Sequence, residues 1–295
     1  MRDIISRMDP ERRESLERIS KLTPRERVQR NVDSGNSEQG DLHLVDGYDC
    51  KICLNKGFVF EVVEIPPRTE GGEPTYTETT KDCKCRKVRS NIRRMKKSGL
   101  ENIISRCTFE KYEATEEWQK VIKKAAMDFA CNVDKLEHKW FFIGGGIGTG
   151  KTHLCTAISR DMLYKGRDVR YMLWVDESNK LKACVNDDAK YSEMIEPIKK
   201  AEVLYIDDFF KIMRDGYGQE LKPTAADIRL AYEIINHRYQ QPGSITIISS
   251  ERHISELEEI DSAVGSRIYE MTKQNAYNIA REPGRNYRTK DMNVI

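Results

Sequence analysis

The stretch Gly144-Gly145-Gly146-Ile147-Gly148-Thr149-Gly150-Lys151-Thr152 decides how the rest of this 295-residue sequence is interpreted. An apolar run, Trp140–Ile143, precedes it, and a segment with the period of a buried helix, His153–Ser159, follows it. From Gly145 onward the spacing is G-x-x-x-x-G-K-T, the phosphate-binding P-loop, and this motif requires a strand before it and a helix after it. The sequence therefore predicts a nucleoside triphosphate site rather than a glycine-rich turn followed by a chance Lys-Thr pair.

Each residue type in this loop has a physical task. Glycines adopt left-handed conformations, so that successive N–H groups converge on the β-phosphate, and the next helix adds the N–H groups of its first turn. We expect Lys151 to reach the β- and γ-phosphates and the Thr152 hydroxyl to bind Mg²⁺. The residues predicted to bind ATP are Gly145, Gly146, Ile147, Gly148, Thr149, Gly150, Lys151, Thr152 and His153.

The segments after the loop alternate between apolar strands and helices. Such alternation predicts a parallel sheet that is covered by helices on both faces. Ligands bind such sheets at the carboxyl ends of the strands, where the P-loop also lies. The further predicted strands are Asp168–Trp174, Val203–Ile206, Ile245–Ser250 and Ala276–Ile279.

An acidic pair, Asp207 and Asp208, ends one of these apolar strands. Downstream of a P-loop, an acidic strand end is the second half of a site that hydrolyses nucleoside triphosphates. We expect Asp207 to hold Mg²⁺ through water, and Asp208 to orient or deprotonate the attacking water. A polar strand end without a catalytic role is the alternative.

The composition describes a polar chain, with 33% charged residues and a mean hydropathy of -0.68. No apolar run approaches the length of a membrane span, and the charged N-terminus lacks the apolar core of a signal peptide. We therefore expect a cytoplasmic protein without membrane partners. In a reducing cytosol, clustered cysteines indicate metal binding rather than disulfides.

Four of the eight cysteines form two close pairs, Cys50-x-x-Cys53 and Cys83-x-Cys85. This spacing predicts a tetrahedral Zn²⁺ site, because a single loop closure brings the four thiolates together. Four unrelated reduced cysteines are the alternative. A module of this size buries little apolar surface, so a structural metal makes physical sense.

The sequence predicts four parts. A charged helical segment over residues 1–40, with a helix start at Asp9–Glu17 and a loop at Val32–Gly40, precedes a zinc-binding module over residues 41–87. A basic linker with a helix at Val88–Ser98 begins a third part, residues 88–135, and the ATPase domain covers residues 136–295.

Basic residues dominate the stretch between 81 and 97, against Asp82 alone. The run is either an electrostatic footprint for nucleic acid or a solvated linker helix. Its members are Lys81, Lys84, Arg86, Lys87, Arg89, Arg93, Arg94, Lys96 and Lys97.

Several motifs together carry a family resemblance. The sequence resembles the DnaC/DnaI-type replicative helicase loaders, including phage-encoded versions, and the related IstB transposition ATPases, all of the initiator branch of the AAA+ ATPases. The resemblance covers Phe109 to the last residue well and is looser over Cys50 to Cys85. The matching stretches are Gly145–Thr152, Leu204–Lys211, Pro223–Ile228, Ile235–Tyr239, Ile247–Glu251 and Gly265–Ile268.

The resemblance implies an α/β AAA+ P-loop fold that lacks a full helical lid, with Arg285 or Arg288 as candidate replacements for the lid arginine. It implies catalytic roles for Lys151, Asp207, Asp208, Ser250 and Arg267. Ser250 stands where the family has a polar sensor residue. Arg267 matches the arginine finger that reaches the γ-phosphate of a neighbouring subunit, so that ATP drives self-association.

The implied function is ATP-dependent loading of a hexameric replicative helicase onto single-stranded DNA. By the same resemblance, the segment Asp176–Lys200 corresponds to a helix that lines the DNA path, with Arg170, Lys180 and Lys182 near it. A solvated helix face is the alternative. An IstB-like transposition regulator is the second interpretation. A non-hydrolysing ATP switch that binds other proteins is the third, because Asp208 stands where a glutamate is more common.

Overall fold

A computed structural model describes residues 21–69, 71–95, 101–282 and 284–288 of the chain. The chain divides into two compact units, Met1–Arg89 and Ser90–Ile295. The helix start predicted at Asp9–Glu17 lies outside the described residues, so it stays a prediction.

Two helices open the described part of the first unit. Helix α1, Pro24–Ser37, begins at a capping box in which the Thr23 hydroxyl and the Glu26 carboxylate each accept a backbone N–H of the other residue. This reciprocal pairing satisfies donors that a helix start otherwise leaves without partners. Helix α2, Leu42–Asp46, ends at Gly47, whose φ of +75° is the left-handed conformation that closes helices.

The loop predicted at Val32–Gly40 is wrong over most of its length, because α1 continues to Ser37. The side chain of Asn36 exchanges hydrogen bonds of 2.9 and 2.8 Å with the carbonyl and N–H groups of Phe60. A tertiary contact therefore holds the last turn of the helix in a stretch whose polar composition favours a loop.

Strands β1, Phe58–Ile65, and β2, Thr75–Asp82, form an antiparallel hairpin in this unit. No position of either strand is buried. Among the described residues, an apolar cluster of the unit consists of the four paired cysteines, with Tyr48 and Val59 packed against it. The hairpin has almost no apolar core, so its stability depends on the cysteine cluster.

Helix α3, Cys85–Met95, begins three residues before the predicted helix Val88–Ser98, whose predicted end lies outside the described residues. The boundary between the two units falls within it, after Arg89. The side chain of Arg89 is buried and pairs with the carboxylate of Asp46. The interpretation of the basic run as a surface feature is therefore wrong for Arg89. The division into four parts stays a prediction.

The second unit alternates helices and strands in the order that the sequence indicates. Its elements are α4 Glu101–Ile104, α5 Glu117–Asn132, β3 Trp140–Gly145, α6 Lys151–Tyr164, β4 Val169–Leu173, α7 Trp174–Ala183, α8 Asp188–Lys199, β5 Val203–Asp207, β6 Met213–Arg214, β7 Glu220–Leu221, α9 Ala225–Tyr239, β8 Ile245–Ser250, α10 Ile254–Ile260, α11 Ser262–Thr272 and β9 Ala276–Ile279. After α11 the described residues form a short 3-10 turn, β9 and an irregular segment that reaches Arg288.

Five strands form one sheet in the order β4-β5-β8-β3-β9, and every neighbouring pair is parallel. All residues of β3, β5 and β8 are buried, which explains their nearly continuous apolar sequences. A short antiparallel hairpin, β6–β7, follows β5. The parallel sheet confirms the α/β fold class predicted from the sequence.

Helices cover both faces of this sheet. Alternate residues of a strand point to opposite sides, so neighbouring residues of β3 contact different helices. On one face, Phe141 of β3 packs its ring 5.3 Å from Phe129 of α5. On the other face, Phe142 belongs to a buried cluster that includes Ile234 of α9 and Ile268 of α11. The sheet thereby fixes the carboxyl ends of β3, β5 and β8 at one edge. None of the described helices is both long enough and apolar enough to cross a lipid bilayer.

Candidate nucleotide-binding site and metal centre

The P-loop joins β3 to α6 through glycines in conformations that other residues rarely adopt. Gly145, Gly148 and Gly150 have φ angles of +135°, +75° and +84°. A Cβ atom on Gly145 would lie 2.4 Å from the carbonyl oxygen of Ile279, so only glycine fits there. Because α6 begins at Lys151, the N–H groups of its first turn lie at the loop, where they favour a bound phosphate.

The side chain of Lys151 lies within the loop rather than in solvent. It is 6% exposed, and its Nζ donates to the carbonyl oxygen of Gly146 at 2.6 Å. Burial lowers the pKa of Lys151, and the carboxylates of Glu251, Asp208 and Asp207 act against that shift. An ammonium group held in a dry loop among backbone N–H groups is suited to phosphate oxygens.

The carboxylate of Asp207 lies beside the loop at the end of β5. Its Oδ1 accepts the hydroxyl of Thr152 at 3.1 Å and contacts the hydroxyl of Ser249, and its Oδ2 accepts the Tyr171 hydroxyl at 3.2 Å. Burial raises the pKa of Tyr171, and the charge of Asp207 adds to that increase. A carboxylate beside a hydroxyl is the oxygen donor set that Mg²⁺ takes next to phosphates, so these residues fit the ion.

Asp208 adopts a φ of +54°, an unusual conformation for a residue other than glycine. Its Oδ2 accepts from the ammonium of Lys211 at 2.7 Å, and this bond raises the pKa of Lys211. Both side chains line the cavity above the P-loop. The structure thus brings Asp208 to the site but gives it an ion-pair partner that the sequence analysis missed.

A cavity of about 360 Å³ lies above the P-loop. Of the nine residues predicted to bind ATP, the seven from Ile147 to His153 line it, while Gly145 and Gly146 do not. His153 turns toward the segment before α5: its Nε2 lies 2.8 Å from the carbonyl oxygen of Thr108, and its ring meets Tyr112 edge to face at 5.3 Å. Burial lowers the pKa of His153.

Ser250 does not reach this cavity, although the resemblance implies a catalytic role for it. Its hydroxyl donates to the carbonyl oxygen of Phe209 at 2.6 Å and accepts the N–H of Arg252 at 3.0 Å. The neighbouring Ser249 contacts Asp207 instead, and Glu251 lines the cavity. The resemblance identified the strand end, but side-chain contacts decide which of its residues faces the site.

The segment after β9 covers the P-loop. The N–H of Tyr287 donates to the carbonyl oxygen of Gly148 at 3.0 Å, and its hydroxyl donates to Glu113 at 2.6 Å. Arg288 lines the cavity, whereas Arg285 lies 5.2 Å from the ring centre of Trp118. The motifs of the sequence do not extend to this segment, so the sequence gives no role to Tyr287 and does not distinguish between the two arginines.

Arg267 lies on α11, outside the residues that line the cavity of its own subunit. Its guanidinium is 5.4 Å from the ring centres of both Tyr232 and Tyr239, and its Nη1 donates to the carbonyl oxygen of Ala263 at 2.8 Å. These rings hold the half-buried guanidinium on the surface formed by α9 and α11.

The first unit brings together the four cysteines that the sequence predicts as zinc ligands. The sulfur atoms of Cys50, Cys53, Cys83 and Cys85 all lie within 4.8 Å of one another, and all four residues are buried. Tetrahedral zinc with bonds of about 2.3 Å separates its sulfur ligands by about 3.8 Å. The 3.8 Å between Cys50 and Cys83, and the 3.4 Å between Cys53 and Cys85, fit that geometry.

The surroundings of this cluster act differently on its thiols. Burial acts to raise the pKa of Cys53, but the N–H of Gly57 and the neighbouring thiols lower it to about 7. Burial raises the pKa of Cys83 and Cys85. A divalent cation would favour the deprotonated form of these buried thiols, because its positive charge stabilises thiolates that burial alone disfavours. The residues therefore fit Zn²⁺.

A buried polar network supports the first cysteine pair. The side-chain oxygen of Asn55 accepts the N–H of Cys50 and a guanidinium N–H of Arg89, both at 2.8 Å. Arg89 also pairs with Asp46, and the amide of Asn55 donates to Asp49 at 2.9 Å. The sequence pattern located the four ligands but not this network, because Arg89 lies 34 positions after Asn55 and 43 positions after Asp46.

The parallel sheet, the P-loop and the acidic strand end define a P-loop nucleotide-binding protein. The family model described as the IstB-like ATP-binding protein matches residues 78–268, and the chain belongs to this family. The resemblance stated from the motifs is thereby confirmed, and ATP is the nucleotide that the family binds.

Individual proteins are similar to parts of this chain. An uncharacterized protein of Bacillus subtilis, YqaM, is 30% identical over 257 residues, which cover 84% of this chain and 76% of the relative. The replicative helicase loader DnaC of Buchnera aphidicola is 27% identical over 135 residues, 45% of this chain and 54% of that protein. A crystal structure of the DnaC helicase loader is 19% identical, with a TM-score of 0.48, and the match covers 60% of this chain and 97% of that one.

Proposed function

We propose that this protein is an ATPase that loads a hexameric replicative helicase onto single-stranded DNA during the initiation of replication. The observation that carries the proposal is the P-loop joined to Asp207 through Thr152, in a chain of which 135 residues match a replicative helicase loader. The helicase is a partner by analogy with that relative, so the experiment below includes it.

In the proposed reaction, residues of the loop and of the strand end divide the tasks. Lys151 and the N–H groups of α6 bind the β- and γ-phosphates, while Thr152 and Asp207 hold Mg²⁺ directly or through water. When bound, the ion neutralises the charge that develops on the phosphates. Tyr287 and Tyr112 close the cavity on its sides, which limits the access of bulk water.

Arg267 is proposed to act on the ATP of a neighbouring subunit. Its side chain lies outside its own cavity and is held by Tyr232 and Tyr239, so it is presented on the surface of its subunit. A guanidinium delivered by a second copy stabilises transition-state charge and couples hydrolysis to assembly. Self-association in an ATP-dependent oligomer follows from this role.

Single-stranded DNA is the proposed ligand of the assembled protein. Two of the basic residues expected near its path already have acidic partners: Lys180 contacts Glu177 at 2.8 Å, and Lys182 contacts Asp227 at 2.5 Å. These pairs weaken the contribution that Lys180 and Lys182 would make to phosphate binding. The zinc-binding unit and the preceding segment are proposed to bind the helicase.

Two observations favour alternative functions. The matching family is named after the IstB transposition proteins, which supports an ATP-dependent regulator of transposition. The ion pair between Asp208 and Lys211 supports a switch that binds ATP and turns it over slowly. The loader is preferred because a protein with a loader's name matches the chain.

The experiment compares Lys151→Ala and Arg267→Ala with the unmodified protein in three assays: ATP binding, ATP hydrolysis and loading of a candidate replicative helicase onto circular single-stranded DNA. Lys151→Ala should abolish all three. Arg267→Ala should keep ATP binding and lose hydrolysis by about 10³-fold, together with loading.

A mixture of the two inactive variants provides a control for the trans arrangement. An interface that joins an intact Arg267 to an intact Lys151 recovers part of the hydrolysis. If Arg267→Ala hydrolyses ATP at the normal rate under assembling conditions, the residue is not a finger. If the unmodified protein binds ATP but neither retains nor loads the helicase, the loader function is wrong.

A further inference from the structure

A short hairpin of the second unit presents an aromatic side chain to solvent. Strands β6 and β7 pair Met213 with Leu221 and Arg214 with Glu220, and Tyr217 lies in the loop between them. Tyr217 is 93% exposed, the largest value among the exposed large apolar side chains that the structure describes. The hairpin lies between two of the stretches that carry the family resemblance, and no motif of the sequence covers it.

Hydrogen bonds within the loop fix the backbone that carries this ring. The N–H of Gly218 donates to the carbonyl oxygen of Asp215 at 3.0 Å, which closes a β-turn, and Gly218 has a φ of +80°. Oδ1 of Asp215 accepts the N–H groups of Tyr217 and Gln219 at 2.9 and 2.8 Å. Nη1 of Arg214 donates to the carbonyl oxygen of Gly218 at 2.8 Å. A loop that is ordered before binding loses little conformational entropy when it contacts a ligand.

The base of the hairpin is attached to the sheet of the second unit. The N–H of Ile212 donates to Oε2 of Glu251 at 3.3 Å, and the carboxylate of Glu220 pairs with Arg252 at 2.6 Å. Arg252 is buried just after β8, and its Nε also donates to the carbonyl oxygen of Phe210 at 2.8 Å. These contacts tie the hairpin to rigid strands, so the fold sets the position of its tip.

The ring of Tyr217 is not covered by another side chain. Within the part of the chain that the structure describes, no other ring and no guanidinium packs on it. Its chain neighbours are Gly216 and Gly218, and a Cβ atom on either would meet no further residue within 4 Å. By contrast, the exposed ring of Tyr164 lies 4.8 Å from the guanidinium of Arg160. The faces of Tyr217 are therefore open to a flat ligand.

Two cations accompany this ring. Both Arg214 and Lys222 are exposed, and among the described residues neither forms an ion pair with a carboxylate. Lys222 and Lys182 of α7 line a common cavity of about 210 Å³, in which Lys182 is already paired with Asp227. The positive charge that remains beside the hairpin suits an anionic ligand.

We propose that Tyr217 stacks on a base of single-stranded DNA while Arg214 and Lys222 contact the adjacent phosphates; this inference rests on the DNA binding proposed above. Single strands are bound by aromatic rings that stack on bases and by cations that follow the backbone. The bases of a duplex are stacked on one another, so a ring at a hairpin tip fits a single strand and not a duplex. The hairpin also borders α7, which the proposed function places near the strand.

The test measures the Kd of the full-length protein for a fluorescent oligothymidylate, with ATP and Mg²⁺ present. Tyr217→Ala should raise this Kd by about tenfold or more, because that is the contribution of stacking on one base. Tyr217→Trp should keep the Kd within about threefold of the normal value, because an indole ring also stacks. Tyr164→Ala, at the exposed ring that Arg160 covers, is the matched control and should leave the Kd unchanged.

A change of probe and a change of salt separate stacking from charge. A strand of abasic sites keeps the phosphates and lacks the bases, so Tyr217→Ala and the unmodified protein should bind it equally. Lys222→Gln should lower the steepness with which the logarithm of the affinity falls with the logarithm of the salt concentration by about 0.7, because one phosphate contact is lost. Tyr217→Ala should leave this salt dependence unchanged.

The inference and the proposed function can fail separately. A normal affinity of Tyr217→Ala for the oligothymidylate, or an equal loss on the abasic strand, overturns the inference, while binding by the unmodified protein still supports the proposed function. A loss confined to duplex DNA also overturns it. So does normal DNA binding with weakened self-association in sedimentation, which would assign the ring to a contact between subunits. If the unmodified protein does not bind the oligothymidylate, the proposed DNA binding fails first, and this inference with it.

Discussion

The two units of this chain differ in which buried residues stabilise them. In the first unit no residue of either strand is buried, and the cluster that holds the hairpin consists of four cysteines. In the second unit every residue of β3, β5 and β8 is buried, and the site lies on the turns that follow these strands. The first unit thus uses the same residues for its fold and its candidate site, whereas the second unit separates them.

This difference has a consequence for how each unit responds to the loss of its ligand. If the four cysteines bind zinc as predicted, a unit with almost no apolar core would gain much of its folding free energy from the metal, and removing the metal would unfold it. A unit with a large buried core keeps its fold when a residue of the site is changed, because the site contributes little to burial.

Metal removal is the most direct test of this difference between the two units. A strong chelator should unfold the first unit, because structural zinc contributes about 10 kcal/mol or more to such modules. Hydrogen exchange should show β1 and β2 losing protection, while β3, β5 and β8 keep theirs and the Kd for ATP stays unchanged. Cys50→Ser should reproduce this result, and Cys131→Ser, at an exposed single cysteine, is the matched control. Protein purified without chelator that contains no metal would contradict the prediction.

A substitution in the apolar core of the second unit should destabilise that unit and leave the first unit unaffected. Phe141 is fully buried between Phe129 and Tyr277, whose ring centres lie 5.3 and 5.7 Å away. Phe141→Ala should lower the free energy of unfolding of the second unit by about 3–5 kcal/mol, as large-to-small changes in packed cores do. Denaturant titration measures this change, and the zinc content should stay the same. Val121→Ala, at an exposed position on α5, should change stability by less than about 0.5 kcal/mol.

The sequence predicted the second unit well because its signals are local and repeated. Apolar runs defined the strands, the spacing from Gly145 to Thr152 defined the loop, and the order of elements defined the parallel sheet. What it missed depends on contacts between distant residues. The ion pair of Asp208 with Lys211, the cover provided by Tyr287 and the position of Glu251, rather than Ser250, at the cavity follow from side-chain directions, which periodicity does not determine.

In the first unit the cysteine spacing predicted the cluster, but the polar groups that support it have no recognisable pattern in the sequence. Arg89 lies within a run of basic residues, and the sequence alone predicts a surface charge at this position. Only the structure shows that it turns inward to Asp46 and Asn55. Likewise, the polar stretch at the end of α1 stays helical because Asn36 bonds to Phe60, a contact across 24 positions of the chain.

Substitution of Arg89 should have the smallest of these effects. It tests whether the buried polar network of the first unit takes the place of an apolar core. Arg89→Ala leaves the carboxylate of Asp46 buried without its cation and removes a donor from Asn55, which itself accepts the N–H of Cys50. Groups that hydrogen-bond the ligand residues without contacting the metal typically contribute about 10–100-fold to metal affinity. We therefore expect the Kd for zinc, measured by competition with a chelating dye, to rise by about that factor.

The neighbouring Arg86 offers a matched control on the same helix. Its guanidinium pairs with Asp82, but both side chains are largely exposed, and exposed pairs contribute little to stability. Arg86→Ala should leave the Kd for zinc within about twofold of the normal value. Equal losses in the two variants would mean that the net charge near the cysteines, and not the buried network, sets the affinity. A normal affinity in Arg89→Ala would mean that the four thiolates hold the metal without support, and the first unit would then need even less of a core than its structure suggests.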